Sequence, residues 1–306
     1  MADGVFAAQP YAGICTFGRT THTTDLSGVD VAVLGVPYDS STSYRGGTRF
    51  GPRAIREQSL LLWGYNNAQH VAPFRSLKVV DYGDVDVVPP DIQATHSQIE
   101  LTANRILDSG CRLLTLGGDH SISLPLLRAH AKKHGPLAVV HFDAHPDTWD
   151  SEYPGQPFSH GTPFKRAIEE GLVDTTAYVQ IGIRGPTNGP QDYADAIALG
   201  TRMIALDEFR KRTLADVSDE VRSVVGTKAL YVTLDIDVVD PAFAPGTGTP
   251  EVGGLTSYEI LQLVRGLRGL KAVGFDLVEV SPPYDHAGIT SILAANLAFE
   301  FLSLWS

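Results

Sequence analysis

The sequence predicts an α/β fold built on a mostly parallel sheet. Three observations carry this. About eight short runs rich in Val, Ile and Leu recur along the 306 residues, helix-like stretches lie between them, and Asp and His residues cluster just after the apolar runs. Near-continuous apolar runs mark strands buried on both faces. Strand alternating with helix brings neighbours in parallel through right-handed crossovers, with helices on both faces.

In chain order the strand candidates are 31–36, 77–80, 113–116, 137–142, 178–183, 202–206, 230–236 and 272–278. Helix candidates between them are 93–108, 124–133, 163–170, 213–225 and 257–267. The last stretch, 290–306, reads as a closing helix whose Phe299, Phe301 and Trp305 either pack inside or face another subunit. Eight parallel strands also fit a closed barrel, which strand count alone does not separate from an open sheet. No repeat, low-complexity tract or polar linker divides the chain, so 1–306 is read as one domain.

Composition narrows the function classes. With 43% hydrophobic and 19% charged residues the chain has globular proportions, which excludes disordered and collagen-like classes. A net charge of -11 opposes binding to phosphate backbones and anionic lipid, so neither nucleic acid nor membrane is an expected partner. That acidity suits a cationic small molecule or divalent metals. No charge-free apolar stretch reaches the roughly 18 residues of a membrane span, and residues 1–10 lack the basic patch and apolar core of a signal peptide. Cys15 and Cys111 stand apart with no second Cys in ligand spacing, which fits a reducing compartment. The expected location is the cytoplasm.

The chemistry lies at the strand ends. Run 113–116 leads into Gly117-Gly118-Asp119-His120, run 137–142 into Asp143-Ala144-His145-Pro146-Asp147, and run 230–234 into Asp235-Ile236-Asp237. Ligands of parallel sheets and barrels bind at these carboxyl ends. Alternate residues of an extended segment share a face, so Asp143, His145 and Asp147 point together, as do Asp235 and Asp237. Carboxylates this close raise one another's pKa, and a divalent cation removes the conflict. A lone strand-end Asp is more often a turn former or helix cap, but three such clusters together are far more specific.

A carboxylate-rich set with two imidazoles suits Mn²⁺, and also accepts Ni²⁺ or Co²⁺. Four carboxylates and two imidazoles exceed the needs of one open-site metal and suit two ions about 3.5–4 Å apart that share carboxylates and activate a hydroxide. Asp119 is read as a supporting residue and His141 as packed in its strand. No thiolate zinc site and no phosphate-cradling glycine loop is present.

The motifs Gly117-Gly-Asp-His120-Ser121, Asp143-Ala-His145-Pro-Asp147 and Asp235-Ile-Asp237-Val-Val-Asp240-Pro241 resemble the metal signatures of the ureohydrolases, the family of arginase and agmatinase. The resemblance runs from Gly35-Val-Pro-Tyr-Asp39 through Pro245-Gly-Thr-Gly-Thr-Pro250 and Asp276-Leu-Val-Glu279 to the final helix. It implies a three-layer α/β/α sandwich around an eight-stranded, mainly parallel sheet in place of a barrel. It further implies two manganese ions, one held by His120, Asp143, Asp147 and Asp235, the other by Asp143, His145, Asp235 and Asp237. His160, in Ser159-His160-Gly161-Thr162, matches a proton-shuttling histidine, and Glu279 a carboxylate that receives the guanidinium. Asp147 is assigned the nucleophile's remaining proton, urea and a primary amine are the products, and homo-oligomers, commonly trimers or hexamers, are implied.

Substrate choice depends on the tail. Where arginases carry a polar Asn and Ser this chain has Trp149 and Gln156, and where they carry acids for the α-amino group it has Gly185, Pro186 and Thr187. Free arginine is therefore disfavoured. The loop from Tyr44 to Pro52 and Ser159-His-Gly-Thr-Pro163 are more similar to agmatinases and to hydrolases of guanidino acids. The expectation is agmatine, cleaved to putrescine, with Trp149 lining the tail pocket. A guanidino acid is second, its carboxylate paired with Arg45 or Arg49 unless these pack at a subunit interface. An inactive metal-binding scaffold and a single-zinc deacylase are the readings from other classes.

Overall fold

The computed structural model describes residues 9–306, so most of the stretch read for a signal peptide, residues 1–8, lies outside the described residues. Its strands are β1 (Thr21–His22), β2 (Val31–Gly35), β3 (Val79–Asp84), β4 (Arg112–Leu116), β5 (Leu137–Phe142), β6 (Val173–Ile181), β7 (Arg202–Ile204), β8 (Leu230–Asp235) and β9 (Ala272–Val278). They form one sheet in the order β1-β3-β2-β4-β9-β8-β5-β6-β7, and every pairing is parallel. β1 and β7 are free edges, so the sheet is open and the barrel is set aside. The ninth strand, β1, is a two-residue edge too short to leave an apolar run in the sequence.

Strands β2, β5 and β8 are buried along their whole length, as their unbroken apolar sequences require. Their side chains alternate between two cores. Val31, Val33, Val140 and Val232 pack with Ile55, Val217, Ile260 and Leu297 on one side. Ala32, Leu34, Val139 and Tyr231 pack with Ile99, Leu124 and Phe164 on the other. The result is a three-layer α/β/α sandwich. Helix starts follow local chemistry: Asp91 accepts from the Ala94 N–H ahead of Ile92–Asp108. Thr213 with Asp216 and Thr256 with Glu259 close capping boxes on Leu214–Val225 and Ser257–Gly266.

The last helix, Ile289–Trp305, lies against the sheet. Phe299 and Phe301 are buried within this chain, Phe301 stacks on Phe275, and the Trp305 indole N–H donates to the Ala272 carbonyl at 3.1 Å. Phe299 and Phe301 are therefore core, and Trp305 packs half-buried against it.

The register places the site. Leu116, Leu277, Leu234 and Phe142 are side by side across β4, β9, β8 and β5, so four adjacent central strands end at one level. One position earlier, Thr115, Asp276, Thr233, His141 and Gln180 make a buried polar row beneath those ends.

Two histidines elsewhere in the core make the fold acid-sensitive. Burial lowers His130 to about 4, and burial followed by the Arg128 charge lowers His96 to about 3. Both native values fall below the ordinary one of about 6.5, so the unfolded chain takes these protons first. The stability they carry is complete above that value and is lost as pH falls toward 4 and 3. At pH 5 each is expected to have cost on the order of 2 kcal/mol relative to pH 7. Thermal unfolding at the two pH values checks this. His130→Gln is expected to remove part of the difference, and an unchanged difference contradicts the assignment.

Candidate metal centre and active site

The loop after β4 turns through Gly118, where a Cβ would lie 1.9 Å from the Tyr38 carbonyl, and delivers His120 over the sheet. Asp119 points the other way. It accepts from Ser41 N–H, Ser41 Oγ and Ser121 N–H, and so ties two loops together. His120 Nδ1 lies 2.9 Å from Asp147 Oδ2, 3.2 Å from Asp143 Oδ2 and 3.3 Å from Asp235 Oδ2, yet makes no hydrogen bond among the described residues.

The other ring nitrogen explains this. His120 Nε2 is 2.8 Å from Thr233 Oγ1, whose hydroxyl donates to Asp276 Oδ1 at 2.6 Å. Thr233 must therefore accept from Nε2–H, which leaves the Nδ1 lone pair facing three carboxylates. Only positive charge between them makes that arrangement favourable, and the donor set fits a divalent cation.

A second group adjoins the first. His145 Nδ1 lies 3.0 Å from Asp237 Oδ2 and 3.6 Å from Asp143 Oδ1. Ligand atoms of His120, Asp143, Asp147 and Asp235 lie within 4.8 Å of one another, and so do those of Asp143, His145 and Asp237. Asp143 belongs to both groups, whereas Asp235, assigned to both ions by resemblance, joins only the first. His141 does more than pack: Nε2–H donates to Asp143 Oδ2 at 2.7 Å while Nδ1 accepts from Tyr178 Oη at 2.9 Å.

Electrostatics carry the same message. Burial, followed by the Asp143 charge, pushes Asp147 up to about 7. Burial and neighbouring carboxylates also raise Asp235 and Asp237. Burial opposes ionisation of Asp143, but the charge and hydrogen bond of His141 and the nearby imidazoles of His120 and His145 hold its carboxyl well below the usual range. Burial likewise opposes charge on His120 and His145, and the carboxylates around them override it. The cluster draws positive charge, either as protons or as cations.

Asp147 and Glu279 both sit in the left-handed backbone region, at φ 49° and 62°. Non-glycine residues held there cost about 1 kcal/mol, a strain concentrated where chemistry is done. Glu279 Oε1 accepts from the His120 main-chain N–H and from His160 Nδ1–H, each at 3.0 Å, while buried Oε2 has no partner among the described residues. The Ser43 main-chain N–H donates to His160 Nε2 at 3.0 Å, which fixes the neutral Nδ1–H tautomer in this arrangement. Burial would lower His160, but the Glu279 hydrogen bond and the charges of Glu279, Glu152 and Asp147 raise it to about 10. Surrounded by groups that favour its cation, the ring is suited to hold a proton and pass it on.

Above the cluster, Trp149, Ser43, Glu152, Tyr153, Pro186 and Thr187 line a cavity of about 520 Å³. Trp149 packs over Gly161, where a Cβ would meet its ring at 2.7 Å. Gln156 is exposed in a turn, its N–H bonded to the Tyr153 carbonyl. Gly185 is required beside the cluster, since a Cβ there would lie 2.6 Å from His145 Cδ2. The Arg45 guanidinium stacks on the rings of Tyr284, at 4.8 Å, and Tyr44, at 5.3 Å, and pairs with no carboxylate among the described residues. Arg49 is paired with the buried Asp39, which also takes the Gly47 N–H, so its charge is already offset within the loop.

Sequence reasoning missed Thr233, Ser43, Glu152, Glu251 and Arg184. Glu251 Oε1 lies 3.7 Å from His145 Nε2, and Arg184 holds the carbonyls of Asp237 and Glu251 at 2.7 and 2.6 Å. Thr233, two residues before Asp235 in one strand, had a signal in that period. The others meet the site only through the fold.

The chain's residues 29–303 match the model of the arginase family. It is 46% identical to the mitochondrial guanidino acid hydrolase of Homo sapiens, covering 97% of this chain and 84% of that protein. It is also 46% identical to the mitochondrial agmatinase of Gallus gallus, covering 97% and 87%. Proclavaminate amidinohydrolase from Streptomyces clavuligerus has a similar structure, with a TM-score of 0.93, 46% identity and coverage of 97% of this chain and 99% of that one. Among the described residues no helix is long and apolar enough to cross a membrane. The chain belongs to the arginase family of metal-dependent amidinohydrolases.

Proposed function

We propose that this enzyme hydrolyses a linear guanidino compound to urea and a primary amine with two manganese ions, and that agmatine is its preferred substrate. The observation that carries this reading is Glu279 Oε2, an unpartnered buried carboxylate oxygen beside the His/Asp cluster. A guanidinium is a planar, permanent cation whose paired N–H donors match a carboxylate.

His120, Asp143, Asp147 and Asp235 would hold one ion, and Asp143, His145, Asp235 and Asp237 the other, with Ni²⁺ or Co²⁺ acceptable to the same donors. Bound there, such ions supply Lewis acidity that makes a water nucleophile available at neutral pH. Glu279 holds the guanidinium with its carbon toward the cluster. Asp147 takes the nucleophile's remaining proton. His160 accepts and returns a proton on the side of the departing amine. The wall formed by Trp149 and the 185–187 loop limits the tail.

Tail chemistry is weighed by two side chains. The Glu152 carboxylate on the cavity and the net charge of -11 favour a cationic tail. Arg45, with no acidic partner, favours the second reading, a guanidino acid such as 4-guanidinobutyrate or 3-guanidinopropionate. Relatives named for each class are equally identical to this chain at 46%. Urea release from agmatine, both guanidino acids and arginine, with Asp235→Asn as the blank, decides between them. Trp149→Ala is expected to change the ratio between tails by about threefold or more, as a lost apolar contact does. Equal loss across tails removes its role, and no urea from any tail contradicts the proposal.

Both cysteines are free thiols, which supports a reducing cytoplasm as the compartment. Exposed Leu61, Trp63 and Tyr65 support homo-oligomer contacts, a trimer or hexamer by resemblance, and light scattering reads the number.

A further inference from the structure

Glu152 belongs to the mouth loop, yet two of its contacts flank His160. Its Oε2 accepts from the Gly161 main-chain N–H at 2.9 Å and from the Ser159 hydroxyl, one residue to either side of the histidine. Its Oε1 lies 3.7 Å from His160 Nε2, and its side chain is 15% exposed, on the wall of the cavity. Gly161 is the residue that permits this approach, because a Cβ there would lie 2.6 Å from the Glu152 carboxyl carbon.

We propose that Glu152 is a positioning residue for His160: it fixes the loop that carries the ring and provides the carboxylate that faces Nε2 when the ring takes a second proton. In the neutral ring Nε2 accepts from Ser43 N–H at 3.0 Å. A proton added at Nε2 ends that bond. The new N–H then has Ser43 Oγ at 2.8 Å and Glu152 Oε1 as acceptors. Glu279 Oε2 is left to the guanidinium while its Oε1 keeps the Nδ1–H, and Glu152 shares the charge of the His160 cation. The proton comes from the nucleophilic water and leaves on the amine, so hydrolysis remains balanced with no external donor.

This role rests on the amidinohydrolase reading of the site. The charged groups that face His160 are Glu279 from the end of β9, Glu152 from the mouth loop, Asp147 from the end of β5 and Asp119 from the loop after β4. Of these, Glu152 alone is not otherwise engaged with the cluster, the guanidinium or the Ser41 loop.

The test is Glu152→Gln in the metal-loaded enzyme, since the amide oxygen still accepts from Ser159 and Gly161 while the charge is gone. The limb of the kcat/KM profile that His160 governs is expected to move to lower pH by about one unit, with kcat reduced about three- to tenfold. The His160 imidazole resonance in Zn²⁺-loaded protein, identified with His160→Asn, is expected to titrate lower by the same amount. An unmoved limb and resonance overturn the proposal, as does a loss confined to the KM of amine-tailed substrates, which would make Glu152 a reader of the tail. Glu152→Gln with the activity and pH profile of the wild type, beside an impaired Glu152→Ala, shows loop clamping alone and also overturns it. If the wild type releases no urea, the functional reading fails while the resonance still tests the Glu152–His160 link.

Discussion

Replacing Asp143 by Asn is expected to reduce urea release by about two to four orders of magnitude and to leave the protein with fewer than two tightly bound ions per chain. Asp143 is the residue common to both ligand groups. Its Oδ2 also accepts from His141 Nε2–H at 2.7 Å and its Oδ1 from the His145 main-chain N–H at 2.6 Å. An amide in its place removes the shared negative charge and presents an NH₂ group to one of those donors. Removing one member of a buried charged set typically costs about 3–5 kcal/mol, which corresponds to the rate loss given. Stability is expected to fall as well in the chelator-treated protein. There the imidazoles around Asp143 favour its ionised carboxyl, so Asp143→Asn should melt lower than chelated wild type and gain less from added metal. Elemental analysis and melting curves with and without chelator check both halves.

Glu279→Gln is expected to lower kcat/KM by about two to three orders of magnitude while metal content stays at the wild-type value, the size of effect seen when a charge-aimed group is removed from a closed site. The amide oxygen keeps the bond from the His120 main-chain N–H, and the helical turn at His120 is retained. What changes is Oε2, now an N–H group directed at a cation that brings only donors. The backbone strain at φ 62° is the same for Gln as for Glu, so the fold is not taxed further. Elemental analysis beside the urea assay separates this variant from Asp143→Asn. Loss of metal in Glu279→Gln would contradict the placement of Glu279 outside the ligand set.

How much of this was legible in sequence follows from what each residue contacts. The central strands were legible because β2, β5 and β8 are buried on both faces and carry unbroken aliphatic runs. The ligand-bearing strand ends were legible because Asp and His cluster directly after the apolar runs, although the chain leaves the extended form there: Asp237 lies in a single 3-10 turn and Asp147 sits at φ 49°. β1 was not, having only two residues, both exposed. Gly51–Ser59 and Gln191–Ala198 were also missed, since each is short, rich in polar residues and preceded by Pro and Gly signals that read as loop. The contact of Ser43 with His160 joins residues 117 positions apart, and that of His160 with Glu279 spans 119. Only the sheet order brings such pairs together. Arg45 and Arg49 looked alike as loop cations. The Asp39 carboxylate under one of them and the tyrosines around the other distinguish them.

The central claim is that two ions in one His/Asp cluster allow this chain to split guanidino compounds. Its most direct test is a titration of metal-free protein with Mn²⁺, following urea from agmatine and 4-guanidinobutyrate. Urea release is expected to rise with added ion and level off at two equivalents per chain. Full activity at one equivalent, or no urea from either compound at saturation, would contradict it.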